Sequence, residues 1–146
     1  MNDLDELYQN VILDHNRSPR NRGVIEHASC KQEGYNPLCG DKLTLYVEIV
    51  DDRVVGIKFD GEGCAISTAS ASMLTEAIKG KSVGAARALI EQFHGAVMGT
   101  EDAQPLGKLK VLTGVRAFPM RVKCATLAWH CAGAALRGKN ETVTTE

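Results

Sequence analysis

An α+β fold, a small antiparallel three-stranded sheet packed against helices, is what this sequence predicts, and three observations carry the prediction. The stretch from Leu43 to Phe59 alternates apolar and polar residues on both sides of an Asp51-Asp52 pair. An amphipathic segment of helical period stands before it, and long runs of small, helix-compatible residues follow it. Strands grouped first and helices grouped after them build a sheet covered on one face by helices.

Each element has its own warrant. Leu4, Leu7, Tyr8, Val11 and Ile12 recur at helical spacing from Asp3 to about His15, and Pro19 and Gly23 stop that helix. From Val24 to Tyr35 the pattern is weak and reads as an edge strand followed by a loop. Leu43, Leu45, Val47 and Ile49 alternate with Lys42, Thr44, Tyr46 and Glu48, a half-buried strand. Asp51-Asp52 makes the turn, and Val55, Ile57 and Phe59 alternate on the return. After Gly61-Glu62-Gly63 a helix runs from Ala65 through Lys79 and is closed by Gly80. Ser82 is the N-cap of the next, whose Val83, Ala86, Leu89, Ile90, Phe93 and Val97 share a face. Gly99 to Gly114 is looser, with a short helix around Leu106, Leu109, Lys110 and Leu112. A last helix, about Met120 to Arg137, puts Leu127, Ala128, Cys131, Ala134 and Ala135 on one side. Gly138 caps it, so residues 1–138 form a single domain and 139–146 a disordered tail.

Composition narrows the class. A chain of 146 residues supports one domain with a real core. Its net charge is −1 and the charges are scattered, with no basic block or aromatic-interleaved stripe to suit nucleic acid. Apolar stretches are broken by Gly, Ser and charge, so none spans a membrane. The acidic start Met1-Asn2-Asp3-Leu4-Asp5-Glu6 is unlike a signal or transit peptide, which predicts a cytoplasmic protein. Five cysteines, an odd number, argue against a disulfide scaffold in that compartment and for metal binding or sulfur chemistry.

Three of those cysteines stand at element boundaries. Cys39 lies in the turn Asn36-Pro37-Leu38-Cys39-Gly40-Asp41. Cys64 and Cys124 each open a helical run, where free N–H groups and the helix dipole favour a thiolate. Three soft sulfurs and the Asp41 carboxylate suffice for a tetrahedral metal site, although no CxxC pair is present. A hard oxygen beside three thiolates suits a site from which something must exchange. Arg121 and Lys123 are expected to face the thiolates and offset their charge. Cys131, among Trp129 and Ala residues, reads as a small buried hydrophobe, and nothing about Cys30 argues for reactivity. A cysteine hydrolase would need a histidine base, and His15, His27, His94 and His130 offer no local motif. His15, at a helix end before Pro19, reads as a cap or docking residue. A binding module whose zinc only secures the fold is a further alternative.

The three cysteine segments resemble the U-type iron–sulfur cluster assembly proteins, the family of IscU, the NifU amino-terminal domain and SufU. Leu7-Tyr8, Asp14-His15 and Pro19-Arg20-Asn21 carry the likeness first. Asn36-Pro37-Leu38-Cys39-Gly40-Asp41, Gly61-Glu62-Gly63-Cys64-Ala65-Ile66-Ser67 and Arg121-Val122-Lys123-Cys124 follow in order. The SufU branch fits best. Lys123 stands where IscU-like scaffolds carry a histidine, and Ala117 to Lys123 keep only fragments of a Pro-rich chaperone-recognition motif. The stretch between the Ser82 helix and Cys124 is longer than in IscU, which resembles the SufU insertion. No carboxy-terminal CxxC domain of the NifU kind is present.

The resemblance implies a SufU/IscU-like fold with the three cysteines and Asp41 converging at one end. It implies Zn²⁺ held by Cys39, Asp41, Cys64 and Cys124, and a PLP-dependent cysteine desulfurase of SufS type as partner. On docking, one thiolate would leave the zinc and attack the outer persulfide sulfur. By resemblance that thiolate is Cys39, and the sulfur passes on to an iron–sulfur scaffold or apoproteins. The chain is then sulfurtransferase-like rather than an independent enzyme. The alternative is a scaffold that holds a transient [2Fe–2S] cluster on Cys39, Cys64 and Cys124 and hands it on.

Overall fold

The computed structural model describes residues 3–138 and 143–144. Helix α1 (Asp3–Arg17) is followed by strands β1 (Cys30–Asn36), β2 (Asp41–Val50) and β3 (Arg53–Glu62). Then come α2 (Ala65–Ile78), α3 (Val83–Met98), a 3-10 segment (Gln104–Ala117), α4 (Pro119–Leu136) and β4 (Val143–Thr144). The sheet order is β3-β2-β1-β4; the first three strands are antiparallel and β4 runs parallel to β1. The architecture is the expected α+β layering, with a fourth strand added. Of the tail expected to be disordered, Val143–Thr144 are strand instead; residues 139–142 and 145–146 lie outside the described residues. Val143 packs against the core, which gives the tail a reason to return to the sheet.

The hairpin forms where the alternation predicts it, with Leu43, Leu45 and Val47 buried. Asp51 (φ 51°) and Asp52 (φ 62°) are both left-handed, the two-residue turn whose twist matches that of the flanking strands. The return strand departs from expectation. Glu48 pairs with Gly56 but Ile49 with Val54, so a bulge at Val55 resets the pleat. Val54 is therefore buried and Val55 exposed, whereas Ile57 and Phe59 face inward as expected.

Strand β1 is not an edge strand among the described residues, since β4 covers Gly34 and Tyr35. Its pattern looked weak because its inward residues are Gln32, Gly34 and Asn36 rather than apolar ones. Gly34 has a packing reason: a Cβ there would overlap the Cys131 sulfur and touch Leu127. That close approach lays α4 directly on β1. Cys131 is fully buried, as its apolar surroundings predict, and burial pushes its thiol up to about 12.

The remaining helices sit where their caps place them. The Ser82 hydroxyl accepts the Ala85 N–H at 3.1 Å, and Gly99 closes α3 at φ 84°. Leu106, Leu109, Leu112 and Val115 recur every three residues and are all buried, the period of a 3-10 helix, and the segment is longer than the short helix expected. Gly107, at φ 58°, kinks that segment. Trp129 of α4 stacks on Phe93 of α3 with centroids 3.9 Å apart, and its indole N–H donates to Ser70 Oγ at 2.9 Å. Of the predicted α1 face, Ile12 is buried and Val11 half-buried.

His15 is a core residue instead of a cap or docking residue. It is fully buried, with Nδ1 2.7 Å from Ser72 Oγ. That hydroxyl also accepts the Arg20 N–H at 2.8 Å, which ties the Pro19-Arg20-Asn21 segment to α2. Burial holds the His15 pKa below its ordinary 6.5; Arg20 and Lys108 push the same way, and Glu76 opposes them. The unfolded chain therefore takes up a proton that the folded one refuses as pH falls below about 6.5. Stability should fall with acid there by up to about 1.4 kcal/mol per pH unit from this residue. Denaturant melts between pH 7.5 and 5 should show a shallower fall in His15→Gln. An unchanged slope would assign the effect to other groups, such as His130, whose pKa burial also lowers.

Candidate metal centre

Cys39 occupies the turn between β1 and β2 and is exposed, with Gly40 at φ 70° completing that turn. Asp41 opens β2 and is fully buried. Its Oδ1 accepts the Cys64 N–H at 2.9 Å and its Oδ2 accepts an Asn36 side-chain N–H at 3.0 Å. Gly63 lets β3 pass close by, since a Cβ there would stand 3.0 Å from Asp41 Oδ1.

Cys64 is the N-cap of α2. Its sulfur accepts the Ser67 N–H at 3.4 Å, so the helix start acts on it as its position predicts. Cys124 differs from expectation. Helix α4 begins at Pro119, which places Cys124 in the second turn and buried, beyond the free N–H groups. It reaches the site because of its helix face. Two turns before the Cys131–Gly34 contact, the same face meets the end of β1, where an Asn36 side-chain N–H lies 3.5 Å from Cys124 Sγ.

The donor atoms of Cys39, Asp41 and Cys124 all lie within 4.8 Å of one another, a group that could hold a metal ion. Cys64 adjoins this trio through its N–H to Asp41 and a hydrogen bond between its thiol and that of Cys124. The Cys124 and Cys39 sulfurs stand 3.2 Å apart. Cys124 thus sits between the other two thiols. Its hydrogen bond to Cys64, with help from the Ser67 N–H, draws the Cys64 pKa down to about 7 against burial and the Asp41 charge. The same bond, burial and Cys39 raise Cys124. Sulfurs on one tetrahedral zinc stand about 3.8 Å apart, so the close Cys39 and Cys124 sulfurs with Asp41 suit such an ion, and Cys64 stands next to the group rather than in it.

Of the expected basic neighbours, Arg121 makes a contact elsewhere. Arg121 is exposed, with its guanidinium 4.4 Å above the Phe118 ring, and Lys123 is half-buried. No histidine joins the group among the described residues: His15 is in the core, His27 is exposed, and His94 and His130 meet each other at 5.4 Å. Leu38, Phe118 and Met120 are exposed apolar residues, the first beside Cys39 and the others at the start of α4. Asn36 was visible only as part of a turn motif. A buried amide at a strand end is the signal that distinguishes it, and burial is not written in the sequence.

The fold and the thiol–carboxylate group define a protein of the U-type iron–sulfur cluster assembly class. Residues 7–125 match the NifU-like N terminal domain, and the chain belongs to that family. Within it, the chain is 47% identical over 128 residues to the zinc-dependent sulfurtransferase SufU of Bacillus subtilis (strain 168), covering 86% of each. It is 41% identical over 136 residues to the iron-sulfur cluster assembly scaffold protein IscU of Streptococcus pyogenes serotype M1, covering 92% of this chain and 85% of that one. The fold is also that of a putative iron-sulfur cluster assembly scaffold protein for the SUF system from Fervidobacterium islandicum AW-1. Its TM-score is 0.84 at 36% identity, over 90% of this chain and 97% of that one. Among the described residues, no helix is long and apolar enough to cross a membrane.

Proposed function

We propose that this protein is a zinc-dependent sulfur acceptor of SufU type that takes persulfide sulfur from a cysteine desulfurase for iron–sulfur cluster assembly. The observation that carries the reading is an asymmetry. Cys39 is exposed on a turn, while Asp41 and Cys124, its partners in the donor group, are buried. Cys39, Asp41, Cys64 and Cys124 would hold the ion. Bound zinc would keep the thiolates deprotonated and bring no redox chemistry of its own. The similarity to a relative named as a zinc-dependent sulfurtransferase and the Lys123 position support the same choice.

The transfer step needs no outside oxidant. The Cys39 thiolate attacks the terminal sulfur of the persulfide carried by the desulfurase's own cysteine. A new sulfur–sulfur bond forms on Cys39, the donor's sulfur–sulfur bond breaks, and the donor cysteine leaves as a thiolate. The sulfur then passes to a scaffold or apoprotein. The exposed turn lets a PLP-dependent partner of SufS type reach Cys39 without opening the core. Cytoplasmic location fits this exchange with soluble partners.

The protein as isolated should carry about one zinc per chain, and X-ray absorption should show mainly sulfur ligation. Cys64→Ser combined with Cys124→Ser should remove most of that zinc. Undiminished zinc in the double variant, or mainly nitrogen ligation, would refute the ligand set. A [2Fe–2S] absorption spectrum in protein isolated without oxygen, with no zinc, would instead favour the scaffold role named for the IscU relative.

A further inference from the structure

We propose that Asn36 is a positioning residue of this centre, tying Asp41 to Cys124 so that both are aimed at the metal before it arrives. This deepens the zinc-site reading above and rests on it. Asn36 is the last residue of β1, opposite Asp41 in register, and is fully buried. Its side-chain nitrogen lies 3.0 Å from Asp41 Oδ2 and 3.5 Å from Cys124 Sγ, so one amide spans two ligands from different elements. The orientation follows from chemistry: only the N–H end of an amide can face a carboxylate.

The amide oxygen makes the case specific. Asn36 Oδ1 is buried with no hydrogen-bond partner. A buried acceptor left unmade is unfavourable, and an apolar side chain would fill a core position without it. What the amide offers in return is its pair of N–H groups, and both point at the centre. Asp41 is consequently held at both oxygens, by Asn36 and by the Cys64 N–H, with its remaining lone pairs open to an ion. Cys124 is held at the same nitrogen. Partners of this kind orient ligands, and losing one typically weakens metal binding about 10–100-fold.

Two variants test the proposal. Asn36→Ala removes both donors, and Asn36→Asp keeps the shape but turns an acceptor toward the Asp41 carboxylate. Zinc affinity, measured by competition with a chromophoric chelator, should fall about 10–100-fold in both. The cobalt-substituted forms should show an altered thiolate charge-transfer spectrum. The rise in melting temperature on adding zinc should shrink in both. A residue that only supported the fold would lower the metal-free melting temperature and leave the zinc affinity of the folded variant alone. Affinity within about twofold of wild type in either folded variant would overturn the proposal, as would failure of both to fold with zinc present. If wild type binds no zinc, or keeps it in the Cys64→Ser/Cys124→Ser double variant, the zinc-site reading itself has failed. Unaffected Asn36 variants beside a zinc-binding wild type refute only the positioning role.

Discussion

Cys39→Ser should keep close to one zinc per chain and lose acceptance of persulfide sulfur by orders of magnitude. Zinc should stay because Asp41 and Cys124 are buried and hydrogen-bonded, and Cys64 is anchored as the cap of α2. Sulfur acceptance should go because a hydroxyl in that turn is not a nucleophile at neutral pH. Cys64 is the rival candidate, since its pKa is drawn down to about 7. Yet its sulfur is half-buried and caps a helix, so using it would strip α2 of its cap. Cys39 can move with its turn alone. Mass spectrometry after incubation with desulfurase and free cysteine should find the added sulfur on the Cys39 peptide. Sulfur confined to Cys64 or Cys124, or undiminished turnover by Cys39→Ser, would identify a different acceptor.

Removing zinc should lower the melting temperature by on the order of 10 °C. An ion that binds only the folded chain contributes about 4 kcal/mol when it is a thousandfold above its dissociation constant. For a chain of this size each kcal/mol moves the melting temperature by about 2–4 °C. The ion would join the β1–β2 turn, the start of α2 and the second turn of α4. Without it, the donors are held by hydrogen bonds through Asn36, Ser67 and the Cys64 N–H and by those among the thiols. Calorimetry with and without a strong chelator checks this. An unchanged melting temperature would make the site functional without being structural. Chelation should also increase hydrogen exchange in the turn at residues 37–40, where Cys39 loses its tether.

Much of this was legible because local chemistry carried it. The hairpin, the Ser82 cap, the Gly80 stop and the last helix rest on alternation, capping and glycine, which act within a few residues. Cys64 is legible as a helix start for the same reason. The failures share one cause. Alternation puts Val55 inward because it assumes an unbroken pleat, and the bulge that reverses it is a property of pairing with β2. Strand β1 shows little in the sequence because its inward positions are Gln32, Gly34 and Asn36. Their placement is justified by α4 and by the site, far away in sequence.

His15 makes the same point for function. A histidine at a helix end invites a docking or capping role, but packing of α1 on α2 buries it beside Ser72. By itself the sequence determined the fold class, the hairpin, the main helices and which side chains have the chemistry for a metal and for sulfur, because residue type and short spacing decide those. Only the tertiary structure decided that Cys124 enters the site from inside a helix, that Arg121 turns to Phe118, and that Asn36 joins Asp41 to Cys124. The placements of Cys124 and Asn36 depend on how closely α4 lies on β1. That distance is set by Gly34 against Cys131, a contact between residues nearly a hundred positions apart that no local pattern records.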